Sequence, residues 1–241
     1  MRQFLKQIYI YASIVLLLLL ASSCDHETNT GTPMLDEREG VDYELYDRYV
    51  DKHGNKGLVA YVAKNECIIV ISSDEAYLPW GKMGQTITPS FNAIGSSANM
   101  ARYGIAMLLA MASDGIDDYP AQKWCNDKNH GDEPYAGSWH LPSAVELDTF
   151  TKGGRLEALS AKLELFYGRP LSDEKLYWTC VEDLKGIAGV YPDYVVGQEY
   201  DSDNRARCQF LPNSVHKSKD SWYKKERHYV RAIKFIYYNK W

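Results

Sequence analysis

The amino-acid sequence predicts an α+β domain in which two or three helices pack on small antiparallel sheets. Two short runs rich in β-branched residues, at 57–63 and 67–71, are separated by three polar residues, which is the pattern of a β-hairpin. Apolar residues at helical spacing follow between residues 97 and 163. After Pro170 the chain again favours strands and loops. A helical middle between two strand-rich ends is typical of an α+β fold.

The first 23 residues have the pattern of a lipoprotein signal peptide. Arg2 and Lys6 give a positive start, and an apolar stretch follows over residues 8–21, which is the order of a secretory signal. That stretch is shorter than the roughly 20 apolar residues that a membrane-spanning helix needs. The run Leu-Ala-Ser-Ser-Cys then ends at Cys24 and resembles a bacterial lipobox.

Lipidation of Cys24 is the modification that this motif implies. The cysteine thiol is then diacylated and becomes the new N-terminus, and two acyl chains give a stable membrane anchor. The alternative is an ordinary cleaved signal in which the cysteine is incidental. The acidic start over residues 25–27 resembles the export tag of surface lipoproteins in Bacteroidetes-type bacteria. We therefore expect an exported protein, lipid-anchored to the outer membrane and displayed at the cell surface.

Composition divides the rest of the chain into a flexible tether over residues 24–42 and one domain over residues 43–241. The tether is rich in Asn, Thr, Gly and charged residues, and the remaining length fits a single domain. The full chain has a formal net charge of −5. This acidic balance argues against a nucleic-acid partner, because phosphate binding needs a basic surface.

Four cysteines remain after the signal: Cys67, Cys125, Cys180 and Cys208. Their spacing contains no CxxC pair, so nothing in it predicts a zinc site. In an exported protein an even number of cysteines permits disulfides, and burial as thiols is the alternative. If one disulfide forms, Cys180 with Cys208 is the first expectation, since both lie in the loop-rich C-terminal half.

Three helices are expected in the middle of the chain. The first covers Ser97–Ala112, and the second begins near Tyr119, where the following proline suits a first helical turn. The third opens at Ser143, with Glu146 at the spacing of a capping box. Its apolar pattern continues to Leu163 across a pair of glycines.

The remaining segments are expected as loops or strands. Pro and Gly punctuate residues 77–84, which predicts a loop. The strongest later strands are 177–181 and 229–236, both rich in aromatic and β-branched residues. The second of these is expected to close the domain as one strand.

The block at residues 137–147, Gly-Ser-Trp-His-Leu-Pro-Ser-Ala-Val-Glu-Leu, is the most specific motif in the chain. Less specific segments accompany it at 80–81, 95–99, 121–125, 177–182 and 229–233. Together, over about residues 57–236, they resemble the DUF1566 or Lcl C-terminal domain family. The resemblance implies a C-type-lectin-like fold, with Trp139, Leu141 and Trp178 in scaffold roles.

The resemblance also implies where a ligand binds. In a lectin-like fold the long loops before the last strand form the exposed face, carried by a rigid scaffold. Aromatic and polar side chains alternate over residues 191–229, which suits stacking on sugars or contact with a protein. Packing of these tyrosines beneath the loops is the alternative. The expected ligand-binding residues are Tyr191, Tyr194, Tyr200, Asp201, Asn204, Arg205, Asn213, His216, Trp222 and Tyr223.

The sequence contains no recognised pattern for catalysis or for a bound cofactor. The sequence has no GxSxG motif, and none of the six histidines lies in a recognised catalytic context. Formylglycine-generating enzymes share the lectin-like fold, but the motif around their reactive cysteine pair is missing. The acidic groups at 114–118 and 201–204 do not match an EF-hand loop. We expect no enzymatic activity, no cofactor and no metal.

Taken together, the sequence predicts a surface-anchored lipoprotein that displays a non-catalytic domain. Its expected partners are the membrane, through Cys24, and an extracellular glycan or protein ligand. The alternative function is that of a structural subunit in a cell-surface appendage or envelope complex.

Overall fold

The computed structural model describes residues 34–36, 43–63, 67–88, 103–132, 137–183, 201–211 and 219–237. These residues form an α+β fold of two five-stranded sheets and four α-helices. The chain divides into two units, Met1–Pro33 and Met34–Trp241, and all described residues belong to the second. The signal segment and Cys24 therefore lie outside the described residues. None of the described helices is long and apolar enough to cross a bilayer.

The elements run as strands, then helices, then strands. The strands are β1 (Met34–Asp36), β2 (Arg48–Val50), β3 (Lys56–Ala63), β4 (Cys67–Ser72), β5 (Ala76–Pro79), β6 (Leu176–Glu182), β7 (Arg205–Phe210), β8 (Lys219–Tyr223), β9 (Arg227–Val230) and β10 (Ile233–Tyr237). The helices are α1 (Tyr103–Gly115), α2 (Pro120–Asp127), α3 (Ala144–Thr151) and α4 (Arg155–Tyr167). Sheet A has the order β1-β2-β3-β4-β10, and sheet B has the order β5-β9-β6-β7-β8.

The predicted hairpin is confirmed as β3 and β4, which pair antiparallel with Leu58 opposite Ile71. The sheets are mixed rather than purely antiparallel, because β1 pairs in parallel with β2 and β6 in parallel with β9. β1 lies inside the segment expected to be a flexible tether. Its three residues pair with β2 and form the edge of sheet A, so strand pairing begins before residue 43.

Among the residues that the structure describes, the middle of the chain forms four α-helices, one more than the largest predicted number. The predicted third helix is two helices, α3 and α4, because Gly153 and Gly154 have φ of +70° and +80°, which interrupts the helical backbone. The capping box at the start of α3 is confirmed. The Ser143 hydroxyl accepts from the Glu146 N–H at 3.2 Å, and the Glu146 carboxylate accepts from the Ser143 N–H at 2.5 Å.

The prediction of a single closing strand over residues 229–236 is wrong, because this segment forms two strands that belong to different sheets. β9 pairs with β5 and β6 in sheet B, whereas β10 pairs with β4 in sheet A. Arg231 lies at the junction and is 1% exposed. Its guanidinium donates to the backbone oxygens of Ser72 and Ser73 at 3.1 Å, and to that of Arg169 at 3.0 Å. These bonds hold Arg231 at the point where the chain passes from sheet B into sheet A.

The segment 77–84, expected as a loop, begins as a strand. β5 pairs antiparallel with β9, with Tyr77 opposite Tyr229 and Pro79 opposite Arg227. Pro79 is tolerated because it ends an edge strand, where its missing N–H removes no bond from the middle of a sheet.

Two buried clusters hold the sheets and helices together. The first joins the facing strands of both sheets to α1 and includes Trp80, Trp139 and Trp178, all fully buried. The second packs α3 and α4 on the other face of sheet A. The scaffold roles expected of Trp139, Leu141 and Trp178 agree with this burial, since all three side chains are 0% exposed.

The corner after Trp139 is tied directly to the last strand. The His140 N–H donates to the Ile233 oxygen at 3.0 Å, and the Ile233 N–H donates back to the His140 oxygen at 3.0 Å. The His140 ring stacks on Phe235, with ring centroids 5.9 Å apart. Gly104 of α1 packs so closely on this ring that an added Cβ would lie 2.4 Å from His140 Cδ2. The corner, α1 and β10 therefore form one packed unit.

Candidate ligand-binding site

Five of the ten residues expected to bind a ligand can be placed in the structure. Asp201, Asn204, Arg205, Trp222 and Tyr223 lie in the turn before β7 and on strands β7 and β8. The other five, Tyr191, Tyr194, Tyr200, Asn213 and His216, lie outside the described residues.

Asp201 and Asn204 bond mainly to their own turn. The Asp201 carboxylate accepts from the Asn204 side-chain amide at 3.1 Å, and the Asp201 backbone oxygen accepts from the Arg205 N–H at 2.8 Å. The Asn204 backbone oxygen accepts from the Lys224 N–H at 2.9 Å. These bonds give both residues a structural role, while contact of either with a ligand remains a prediction.

Trp222 and Tyr223 do not share a surface, because successive residues of a strand point to opposite faces of the sheet. The Trp222 ring is 37% exposed and lies 5.2 Å from the His228 ring, which in turn contacts Trp178 in the core. The Tyr223 ring is 43% exposed and lies 5.2 Å from the Arg205 guanidinium. A small ligand therefore cannot stack on both rings from one side.

A buried ion pair, which sequence reasoning missed, organises the neighbouring loops. We call residues 80–88, 201–204 and 223–226 the loop end. Within the loop end, Lys224 Nζ lies 2.5 Å from Oε1 of Glu182 on β6, and both side chains are 0% exposed. Lys224 also donates to the Gln85 backbone oxygen at 2.8 Å and lies 4.9 Å from the Trp80 ring centroid. Glu182 accepts the Ile87 N–H at 2.8 Å.

Burial sets the ionisation of this pair. It raises the pKa of the Glu182 carboxyl to about 7, although the bond from Lys224 opposes the shift. Burial also lowers the pKa of the Lys224 ammonium, and the hydrogen bond to Glu182 opposes this shift. Both shifts have the same cause, since a poorly solvated site disfavours each charged form.

The ion pair fixes one wall of an open groove. The loop residues 85–88 form this wall, and α1 forms the other. The groove has a volume of about 510 Å³, and we call it the loop–helix groove. It is lined by Gln85, Thr86, Ile87, Thr88, Leu109, Ala110, Ser113 and Asp114. The sequence does not predict this groove, because its two walls come from segments that only the fold brings together.

Asp114 carries the charge of the groove and is already compensated. Its carboxylate accepts from Lys82 and from the Gln85 side-chain amide, each at 2.7 Å, and from the Tyr119 hydroxyl. The bond from Lys82 is the largest cause that lowers the pKa of Asp114. Burial and the Asp114 contact raise the pKa of Tyr119.

The other acidic residues considered as calcium ligands also have protein partners. Asp118 pairs with Lys82 at 3.1 Å, Asp117 pairs with Lys123 at 3.7 Å, and Asp203 accepts from the Thr86 hydroxyl at 2.6 Å. Within the described ranges, no group of three or more His, Cys, Asp or Glu side chains is placed to hold a metal ion.

The expected disulfide between Cys180 and Cys208 is not formed. Cys180 is a free thiol at the centre of β6, and Cys125 is a free thiol on α2. Both are fully buried, and burial raises the pKa of each thiol. Neither has the lowered pKa and exposure of a reactive cysteine.

Comparison with known proteins assigns no family. No family model matches the chain, and no curated protein matches it. Among solved structures, the chain is similar to the crystal structure of a fimbrial protein from Bacteroides ovatus ATCC 8483, with 14% sequence identity and a TM-score of 0.43. The match covers 70% of this chain but only 35% of the fimbrial protein. A likeness this weak assigns neither a family nor a function.

Proposed function

We propose that the protein is a lipoprotein anchored to the outer membrane through Cys24, whose domain over residues 43–241 is a non-catalytic recognition module. The domain binds an extracellular glycan or protein. The observation that carries this proposal is the loop end, where an open groove is built on loops that a buried ion pair holds in place. A concave surface with a few convergent polar groups, carried by a rigid scaffold, is the usual form of a ligand site.

The packing of the corner supports the resemblance to the DUF1566 or Lcl C-terminal domains and their lectin-like fold. In that proposal the Trp-His-Leu-Pro-Ser segment has to join a helix to the last strand. Here Ser143 caps α3, and His140 pairs with Ile233 at the start of β10. In this proposal the residues of the corner have structural roles, and the loops are available for contact with a ligand.

The recognition function is tested with the detergent-solubilised full-length protein. We expect saturable binding either to glycans on a printed array or to one extracellular protein in a pull-down. The dissociation constant obtained from the saturation curve gives the free energy of binding. Co-purification with envelope proteins in fixed stoichiometry, without saturable binding to either class, would overturn the proposal in favour of a structural subunit.

The anchor is tested separately by Cys24→Ala. Without the thiol no acyl chain is attached, and each lost CH₂ removes about 0.8 kcal/mol of membrane affinity. We expect the variant to move from the membrane fraction to the soluble fraction on an immunoblot. Ser22→Ala, which keeps a small residue before the cysteine, is the control and should stay with the membrane. Unchanged fractionation of Cys24→Ala contradicts the anchor.

A further inference from the structure

The loop–helix groove has the dimensions of a ligand pocket, and hydrogen bonds within the protein hold one of its walls in place. Its volume of about 510 Å³ lies within the range of roughly 300–1,000 Å³ found for small-molecule sites. Gln85 and Ile87 are each tied through the backbone to the buried Glu182–Lys224 pair. The Gly84 N–H donates to the Asp203 oxygen at 2.9 Å, which fixes the start of the same wall. A preformed wall avoids the entropy cost of ordering a loop on binding.

The groove lining can both donate and accept hydrogen bonds while offering an apolar strip. The hydroxyls of Thr88 and Ser113 lie on exposed residues on opposite walls. Each hydroxyl can donate one hydrogen bond and accept two. Leu109 and Ala110 are partly exposed between them and supply apolar surface. Sugar rings match this combination, since they carry hydroxyl groups at their edges and C–H groups on their faces.

The charges in the groove select against ionic ligands. Lys82 is bound between Asp114 at 2.7 Å and Asp118 at 3.1 Å, so its ammonium is compensated. An anionic ligand would face the Asp114 carboxylate, whose pKa is lowered, and the described lining residues include no cation that could pair with the ligand. A cationic ligand would have to displace Lys82 from Asp114. A neutral polyhydroxylated ligand meets neither cost.

We propose that the loop–helix groove is the ligand subsite of this protein and binds a neutral oligosaccharide. The proposal rests on the proposed recognition function and narrows it to one site and one class of ligand. It places the binding site on α1 and residues 85–88, and neither Trp222 nor Tyr223 is among the described residues that line this groove.

The experiment compares wild-type protein with a groove-filling variant on an array of neutral oligosaccharides and their sulfated counterparts. Ser113→Trp places an indole in the groove, and we expect at least a tenfold loss of affinity for the neutral glycan that the wild type binds. Ala112→Trp is the matched control, because Ala112 is exposed on the same helix but does not line the groove. It should bind as the wild type does. Melting temperatures are measured for both variants.

Each outcome decides between the site and the function. Equal glycan affinity of Ser113→Trp and the wild type overturns the groove as the site, while the recognition function stands. Preferential binding of sulfated glycans overturns the neutral ligand class. Binding of a protein but of no glycan overturns the subsite, and absence of any saturable ligand overturns the recognition function itself. If Ser113→Trp unfolds, Thr88→Ala on the opposite wall decides, with a several-fold loss of affinity expected and no loss overturning the proposal.

Discussion

Lys224→Met is expected to lower the free energy of unfolding by about 3–5 kcal/mol at pH 8, the cost of removing one member of a buried ion pair. The substitution leaves Glu182 without its counter-ion in a site that is 0% exposed, and leaves the Gln85 oxygen without its donor. Urea unfolding followed by tryptophan fluorescence measures this change. Lys225→Met is the matched control, because the neighbouring Lys225 is exposed and its substitution should change stability by less than about 0.5 kcal/mol.

The pair can be tested further by removing both charges. In Glu182→Gln with Lys224→Met, the glutamine still offers an oxygen to the Ile87 N–H, and no buried charge remains. We expect the double variant to be more stable than Lys224→Met alone, since replacing a whole buried pair is often neutral. Strictly additive losses in this double-mutant cycle contradict a coupled pair.

The penalty of Lys224→Met should also depend on pH. Burial raises the folded-state pKa of Glu182 from 4.5 to about 7 in the wild type, and loss of the lysine removes an interaction that lowers it. Between pH 4.5 and the folded-state pKa, the folded protein keeps a proton that the unfolded chain has released. The contribution of Glu182 to the free energy of unfolding therefore falls as pH rises through this window, and it falls further in Lys224→Met, where the lysine no longer stabilises the charged carboxylate. The penalty is expected to be smaller at pH 5.5 than at pH 8.

Arg231→Met is the second substitution with a large expected effect, about 3–5 kcal/mol of unfolding free energy. The guanidinium donates to Glu75 at 3.1 Å and to four backbone oxygens, those of Ser72, Ser73, Arg169 and Pro170. Methionine fills similar space but satisfies none of these buried acceptors. The same urea titration measures the loss.

Two further variants test whether the loss of unfolding free energy depends on the planar set of N–H donors in the Arg231 guanidinium. Arg231→Lys keeps the charge but not the planar fork, so it should recover only part of the lost stability. Arg227→Met is the control, because Arg227 is exposed and donates only to the Tyr77 oxygen among the described contacts. Equal losses for Arg231→Met and Arg227→Met would contradict the role assigned to the junction.

Local patterns were enough to predict the elements whose signals lie close together in the chain. The hairpin over 57–71 follows from two β-branched runs and a short polar turn. The start of α3 follows from Ser143 and Glu146, three residues apart, which satisfy each other's backbone N–H. Trp139 and Trp178 are large apolar residues, and such residues are buried in most folds.

Contacts between distant segments could not be predicted in this way. The strand over 229–236 reads as continuous, but the acceptors that bend it at Arg231 come from residues 72–75 and 169–170. Lys224 lies in a lysine-rich stretch, and lysine is almost never fully buried unless it is paired. Its partner, Glu182, is 42 residues earlier in the sequence. The loop–helix groove likewise depends on segments that meet only in the folded protein.

The junction at Arg231 and Ala232 determines how the two sheets can come apart. The Cα atoms of Val230 and Ile233, which end β9 and begin β10, are three peptide units apart and at most about 11 Å from each other, so β9 cannot move far from sheet B while β10 stays in sheet A. Because separation of one sheet alone would strain this short connection, we expect the two sheets to unfold as a single cooperative unit. Amide hydrogens in β4 and β6 should consequently exchange with solvent through the same global opening rather than through separate local ones.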